Sequence, residues 1–301
     1  SMFQFEENGK EYLHFENTQK SLYDIVIFDI ENRQIAKRIP LSKTGPNGLP
    51  AVSGSRPSPD SEQILISQNN IGRLSTINNQ GEVVRNYPVE SPEGRFTAFF
   101  FCSYYNTPAF VKDSCIFLNQ DILKPNMKRE DWPQTHMFAS LNLKTGKFKW
   151  VPIFYPPIFK EEYDNIAGGY GFSYDYNYKE NRLVCGFFGY DSLMVTDDLK
   201  HIRWYNAKSR YLKSMKPKLG NAMAGINSII EFCETPKYWH IMYDKYRNVY
   251  YRFAEMPYKL APNESPYDEP KGKEFSVIVL NKDFEIIGET RFPGKKYFYK
   301  M

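Results

Sequence analysis

Residues 24–41 read DIVIFDIENRQIAKRIPL. An apolar run, Ile25 to Phe28, gives way to polar Glu31-Asn32-Arg33, and a second run closes on Ile39-Pro40-Leu41. β-Branched and aromatic side chains suit a pleated, half-buried surface. Short Asn, Asp and Gly turns accept the backbone angles that a tight reversal needs. The stretch therefore predicts a β-hairpin. The same shape returns at 74–89, turning at Asn79-Gln80-Gly81, and at 138–153, turning at Lys144-Thr145-Gly146. It returns again at 193–205, turning at Asp197-Asp198-Leu199, and at 275–292, turning at Lys282-Asp283-Phe284.

A second strand pair precedes most of these hairpins. Ser58-Pro59-Asp60-Ser61 leads into Gln63-Ile64-Leu65-Ile66-Ser67. Ser173-Tyr174-Asp175 leads, through Tyr178-Lys179-Glu180-Asn181, into Arg182-Leu183-Val184-Cys185. Tyr243-Asp244-Lys245-Tyr246-Arg247-Asn248 leads into Val249-Tyr250-Tyr251-Arg252-Phe253. Each full unit is thus four antiparallel strands over ~50 residues, the period of a propeller blade. The expectation is an all-β chain, one β-propeller domain over 1–301 built of four-stranded antiparallel blades. Six blades are expected, with five to seven left open by the terminal segments. One stretch departs from the strand pattern: Ile226, Ile229, Ile230 and Cys233 follow helical spacing and Pro236 ends it, predicting a short helix over 227–234.

Composition agrees with sheet. Aromatics make up 17% of the 301 residues, with 23 Tyr and 23 Phe, and these rings favour strands. The net charge of +4 is a small excess of scattered Lys and Arg, which argues against a nucleic-acid partner. Cys102, Cys115, Cys185 and Cys233 show neither a C-x-x-C nor zinc-finger spacing and read as small buried hydrophobes. A bridge between Cys102 and Cys115 is left open. No apolar run approaches the roughly 18 residues of a membrane span, and no signal peptide is recognised. Ser1 reads as a cloning remnant, and truncation at one or both ends is expected.

In a propeller, first-to-second and third-to-fourth strand links open on one face, while second-to-third and blade-to-blade links open on the other. The long segments 119–136, 154–171, 208–225 and 255–273 all fall on the second face. Long loops without structure of their own are uncommon unless used, and a rigid scaffold positions the groups they carry. The binding groups expected there are the aromatics Trp132, His136, Tyr155, Tyr163, Tyr170 and Tyr267, with Lys208, Arg210 and Lys213 from a basic cluster that continues to Lys216 and Lys218. Flat rings supply stacking surfaces for sugars and anchors for protein interfaces. The basic cluster suits an anionic ligand. A packed ring or a solvated loop is the plainer account of each.

Catalytic and metal motifs do not emerge. Asp131, Glu161, Glu162, Asp164 and Asp191 are loop carboxylates, but sequence cannot place two at the separation that glycoside hydrolysis needs. The four histidines, His14, His136, His201 and His240, stand singly, and Asp175-x-Asn177 lacks the turn glycine of a calcium loop. Gly168-Gly169-Tyr170-Gly171 lacks the Lys-Ser/Thr that would follow in a phosphate-binding loop. No cofactor and no metal is expected.

Two stretches carry a resemblance. Ser58-Pro59-Asp60 before a strand resembles the Ser-Pro-Asp-Gly turn of TolB-like propellers, with Ser61 where Gly is usual. The 243–253 run, with Gly45-Pro46-Asn47-Gly48 and the hairpins, is similar to an uncharacterised Bacteroidetes cell-envelope family, often lipoproteins, of TolB-like six-bladed architecture. The resemblance implies export to the periplasm or cell surface, with membrane contact only through a lipid anchor absent from this chain. The function expected is a non-enzymatic binding or scaffold propeller that meets a glycan, a peptide or an envelope protein on its long-loop face. The alternative is a carbohydrate-active hydrolase or lyase acting at the central channel.

Overall fold

The computed structural model describes residues 2–17, 23–58, 63–68, 72–88, 98–99, 103–104, 107–119, 121–122, 133–156, 171–213, 230, 233–262, 264–265 and 273–297. Its strands form five four-stranded antiparallel sheets, each a propeller blade. Blade 1 holds β1 (Met2–Glu7), β2 (Lys10–Asn17), β3 (Asp24–Asp29) and β4 (Gln34–Pro40). Blade 2 holds β5 (Gly54–Pro57), β6 (Ile64–Gln68), β7 (Arg73–Ile77) and β8 (Val83–Pro88). Two short ribbons follow, one pairing β9 (Ala98–Phe99) with β14 (Asp121–Ile122), the other β10 (Ser103–Tyr104) with β11 (Thr107–Pro108). Blade 3 is β12 (Phe110–Lys112), β13 (Cys115–Asn119), β15 (Phe138–Asn142) and β16 (Phe148–Trp150). Blade 4 is β17 (Phe172–Asn177), β18 (Arg182–Phe187), β19 (Ser192–Thr196) and β20 (Arg203–Asn206). Blade 5 is β21 (Lys237–Asp244), β22 (Val249–Glu255), β23 (Phe275–Leu280) and β24 (Ile286–Phe292).

The five hairpins read from the sequence are the third and fourth strands of these five blades. The expected count of six is corrected to five. Every blade takes one hairpin, and the strands between blades 2 and 3 pair only as two-residue ribbons rather than as a further blade. Of the predicted 227–234 helix, Ile230, Cys233 and Glu234 are helical and the other positions lie outside the described residues. Cys115, Cys185 and Cys233 are free thiols, and Cys102 lies outside the described residues.

The hairpins share a turn chemistry that explains why they were legible. Each has one residue in the left-handed region, namely Arg33, Gly81, Gly146, Leu199 and Phe284. An Asn or Asp side chain braces each reversal. Asn78 Oδ1 accepts from the Gln80 and Glu82 amides at 2.9 and 3.0 Å. Asn142 Oδ1 does so for Lys144 and Thr145 at 3.1 and 2.8 Å, and Asn281 Oδ1 for Asp283 and Glu285 at 3.0 and 2.9 Å. Such side chains satisfy turn amides that have no strand partner. At Leu199 and Phe284 a bulky residue tolerates positive φ because its side chain is buried.

Two compact units result, one of residues 1–126 and 136–152 with blades 1 to 3, the other of 127–135 and 153–301 with blades 4 and 5. In the first, β6 is buried on both faces. Ile64 and Ile66 join Ile25, Ile39 and Ile77 in one cluster, while Leu65 joins Leu74, Ile116 and Leu141 in another. Successive strand residues point to opposite faces, so a blade sandwiched between neighbours needs an unbroken apolar run. In the second unit Val184, Leu193 and Val195 of blade 4 pack with Ile241, Tyr250 and Ile278 of blade 5.

Polar side chains lock neighbouring blades at strand edges that the ladder leaves open. Glu16 Oε1 accepts from the Ser55 amide and hydroxyl, each at 2.5 Å, joining β2 to β5. Asp175 Oδ2 accepts from the Tyr243 amide at 2.8 Å, joining β17 to β21. On the short-turn side Arg85 donates to the Leu143 and Lys144 carbonyls at 3.2 and 2.8 Å. Arg182 donates to the Lys282 carbonyl at 3.1 Å in the same manner.

Candidate functional site

In an antiparallel blade, alternate links leave from opposite ends. The links 245–248, 144–146, 178–181 and 282–285 are short turns, each at one end of its own blade. From the other end leave the segments that follow β13, β16, β20 and β22. The long-link end of the blades in each unit is the candidate site of that unit. Its described portion is clearest in the second unit, where residues 207–213 leave β20.

Arg252 anchors this region. It alternates with Tyr250 and Ala254 on the inward face of β22, and its side chain is fully buried. Its guanidinium donates to the carbonyls of Asp191 and Tyr190, each at 2.5 Å, and of Ala207 at 2.9 Å. It also lies 3.5 Å from the centroid of the Tyr238 ring. Burial lowers its pKa to about 10, so it stays charged at neutral pH. Tyr238 in turn donates its hydroxyl proton to Asp191 Oδ1 at 2.6 Å and accepts from the Ser209 amide at 3.0 Å. Burial raises the pKa of Tyr238, which keeps the phenol protonated as a donor. One cation therefore fixes both the β18–β19 link and the exit of β20 onto blade 5.

Glu289 of β24 fixes the next residues. Its carboxylate accepts from the Ser209 and Ser276 hydroxyls at 2.5 and 2.7 Å and from the Arg210 amide at 2.9 Å. A third charge group lies where β21 starts and β22 ends. Glu255 Oε2 meets Lys273 Nζ at 2.5 Å and Lys237 Nζ at 3.2 Å, all three side chains being buried. Lys273 also donates to the carbonyls of Cys233 and Thr235 at 2.7 and 3.1 Å. Buried charges persist only when compensated, and here the carboxylate is ion-paired with both lysines.

The basic residues expected at the site occupy one segment but diverge. Lys208 Nζ lies 3.8 Å from Asp191 Oδ2, toward blade 4. Arg210 donates to the Glu289 carbonyl at 2.5 Å and lies over the Tyr211 ring at 5.0 Å, toward blade 5. Lys213 is exposed. His136, in the first unit, stacks on Trp150 at 5.4 Å and shares a 2.7 Å hydrogen bond between Nδ1 and the Val151 carbonyl. Tyr155, in the second unit, is buried with its ring edge against Phe172 at 5.8 Å. Trp132, Tyr163, Tyr170 and Tyr267 lie outside the described residues, as do Asp131, Glu161, Glu162 and Asp164. Sequence reading passed over Arg252 and Glu289. The signal for Arg252 was its place in an alternating inward series, where a charge stands on a core face.

In the first unit His14, Ser55 and Glu16 meet, with His14 Nε2 at 2.5 Å from Ser55 Oγ. A hydrolytic triad needs the acid on the far imidazole nitrogen, orienting the base. Here the acid binds the serine instead, His14 and Ser55 are buried, and the arrangement joins blades 1 and 2. Among the described residues no group of three or more His, Cys, Asp or Glu side chains is gathered as metal ligands. Among them also, no helix is long and apolar enough to cross a membrane.

Comparison with known proteins adds the family. The profile of a domain of unknown function, DUF4221, matches residues 1–291. The chain belongs to the DUF4221 family. It is similar to a DUF4221 member from Bacteroides vulgatus of known crystal structure, at 85% identity and TM-score 0.92, covering 100% of this chain and 83% of that one. It shares its fold, at 10% identity and TM-score 0.54, with a Bacteroides fragilis protein whose name marks it as exported, covering 96% of this chain and 70% of that one. No curated protein matches the sequence significantly.

Proposed function

We propose that this DUF4221 protein is a non-enzymatic binding or scaffold propeller of the bacterial cell envelope. Its ligand, a glycan, a peptide or an envelope protein, meets the long-link end of the blades. One observation carries the reading. Each long segment leaves its own blade from the end opposite the short turns, and beneath it in the second unit Arg252 and Glu289 hold the exit of blade 4 to blade 5 while Glu255 braces blade 5 internally. This is a braced frame carrying long loops, the arrangement by which binding proteins present contacts at low ordering cost. The resemblance to lipoprotein families of the envelope supports placing the protein in the periplasm or at the cell surface, held by a lipid anchor.

The test is a biosensor screen of the chain against envelope glycans, peptides and purified envelope proteins. Trp132→Ala, Tyr163→Ala and Lys213→Ala are expected to weaken any hit by roughly tenfold, about 1.4 kcal/mol. Unchanged affinity in all three variants would remove the long-link end as the binding surface.

A further inference from the structure

We propose that the exposed Trp204 ring at the long-link end of blade 4 is the platform of a saccharide site that takes a neutral pyranose sugar. The inference rests on the binding reading above and gives it a ligand class and a place.

Trp204 lies on β20, two residues before its end, and is 42% exposed. Its indole is not loose. It packs on buried Phe187 at 6.1 Å, and Tyr190 meets it edge-on at 5.6 Å and 77°. Phe187 ends β18 and Tyr190 lies in the β18–β19 link, which Arg252 clamps from below through the Tyr190 and Asp191 carbonyls. A large apolar face is thus held toward water with an aromatic wall at its side.

Polar groups with open valences surround it. Residues two apart on a strand share a face, so Asn206 projects beside Trp204. Ser192 pairs opposite Asn206 and lies on that face too. The Asn206 side chain accepts from the Lys208 amide at 3.2 Å. Among the described residues, Asn206 Nδ2, Ser192 Oγ and the Tyr190 hydroxyl have no hydrogen-bond partner.

This combination matches the chemistry of a pyranose. The sugar's axial C–H groups present a weakly positive face to the negative face of the indole. Its equatorial hydroxyls, which both donate and accept, need an amide, a hydroxyl and a phenol around the ring rim. Asp191 and Lys208, which flank the end of blade 4 here, sit 3.8 Å apart and oppose each other, which favours a neutral sugar over a uronic acid or a phosphate. A site held rigid by Arg252 loses little entropy on binding.

The test prints neutral oligosaccharides of glucose, galactose, mannose and N-acetylglucosamine on an array, probes it with the full chain, and titrates hits by tryptophan fluorescence. Trp204→Ala is expected to weaken a hit by roughly tenfold or more. Trp204→Phe should retain part of the affinity, and both should keep the thermal midpoint of the parent. Absence of any neutral saccharide hit, or equal binding by Trp204→Ala, overturns the proposal. So does conversion of a self-associated species to monomer by Trp204→Ala, which would assign the ring to a protein contact. If Trp132→Ala and Lys213→Ala abolish a hit while Trp204→Ala does not, the platform falls and the general reading stands. Loss confined to Trp204→Ala and Trp204→Phe supports the platform and leaves the other long-link segments without a role.

Discussion

Arg252 shows how a single residue decides local order. Its fork reaches several carbonyls on two links of the neighbouring blade, and a point charge cannot reproduce that geometry. Arg252→Met removes the cation and takes this donor from the Tyr190 and Ala207 carbonyls, while the Asp191 carbonyl still accepts from the Ala207 amide. The expected loss is about 3 kcal/mol, read as a lower urea midpoint. Arg252→Lys should recover only a minor part of it. A lysine variant as stable as the parent would show that charge rather than the planar fork is what matters. The residue was visible in the sequence as one of a run of tyrosines and cations, where solvation is the ordinary reading. Its alternation with Tyr250 and Ala254 marks a core-facing position, but its partners are backbone carbonyls, which carry no sequence signature, so the clamp was not legible.

The hairpin is the element the chain repeats, and its turn carries the constraint. In blade 2 the turn uses Gly81 at φ +83°, and a Cβ built there would stand 1.9 Å from the Pro40 carbonyl oxygen of blade 1. Glycine is required twice over, by backbone angle and by the closeness of the next blade. Gly81→Ala is expected to cost about 2 kcal/mol or more. Gly288 of β24 has open space around the same position, and Gly288→Ala should lie within about 0.5 kcal/mol of the parent. Thermal melts of the two variants check the contrast, and equal shifts would contradict it. Elements of this kind were legible because alternation and Asn, Asp and Gly turns act over a few residues. The ribbons β9/β14 and β10/β11 were not, since two-residue strands leave too short a pattern to read.

Over the whole molecule, stability depends on pH through two imidazoles, buried His14 in the first unit and partly buried His240 in the second. Burial lowers the pKa of His14 from 6.5 to about 4, against the opposing pull of Glu16. Burial does the same for His240, also to about 4. The unfolded chain takes up these protons near pH 6.5 and the folded chain does not. Stability is therefore complete above about pH 6.5 and declines as pH falls toward 4. The depression at His14 corresponds to roughly 3 kcal/mol at most. Urea midpoints measured between these limits should fall with acid, and His14→Leu should flatten the slope. A slope unchanged by that variant would assign the effect elsewhere.

The sequence by itself determined the all-β class, the four-strand unit, the five hairpins and the end of the blades from which the long segments leave. Those features arise from alternation and turn chemistry within a few tens of residues. Only the tertiary structure decided that the blades number five, that Arg252 and Glu289 clamp the exit of β20, and that Trp204 is presented on a fixed aromatic base. These depend on partners far apart in the chain, such as Ser209 and Glu289 at a separation of 80 and His14 and Ser55 at 41. A charge or a ring reads the same in one dimension whether it meets water or a neighbouring blade, and packing alone distinguishes the two.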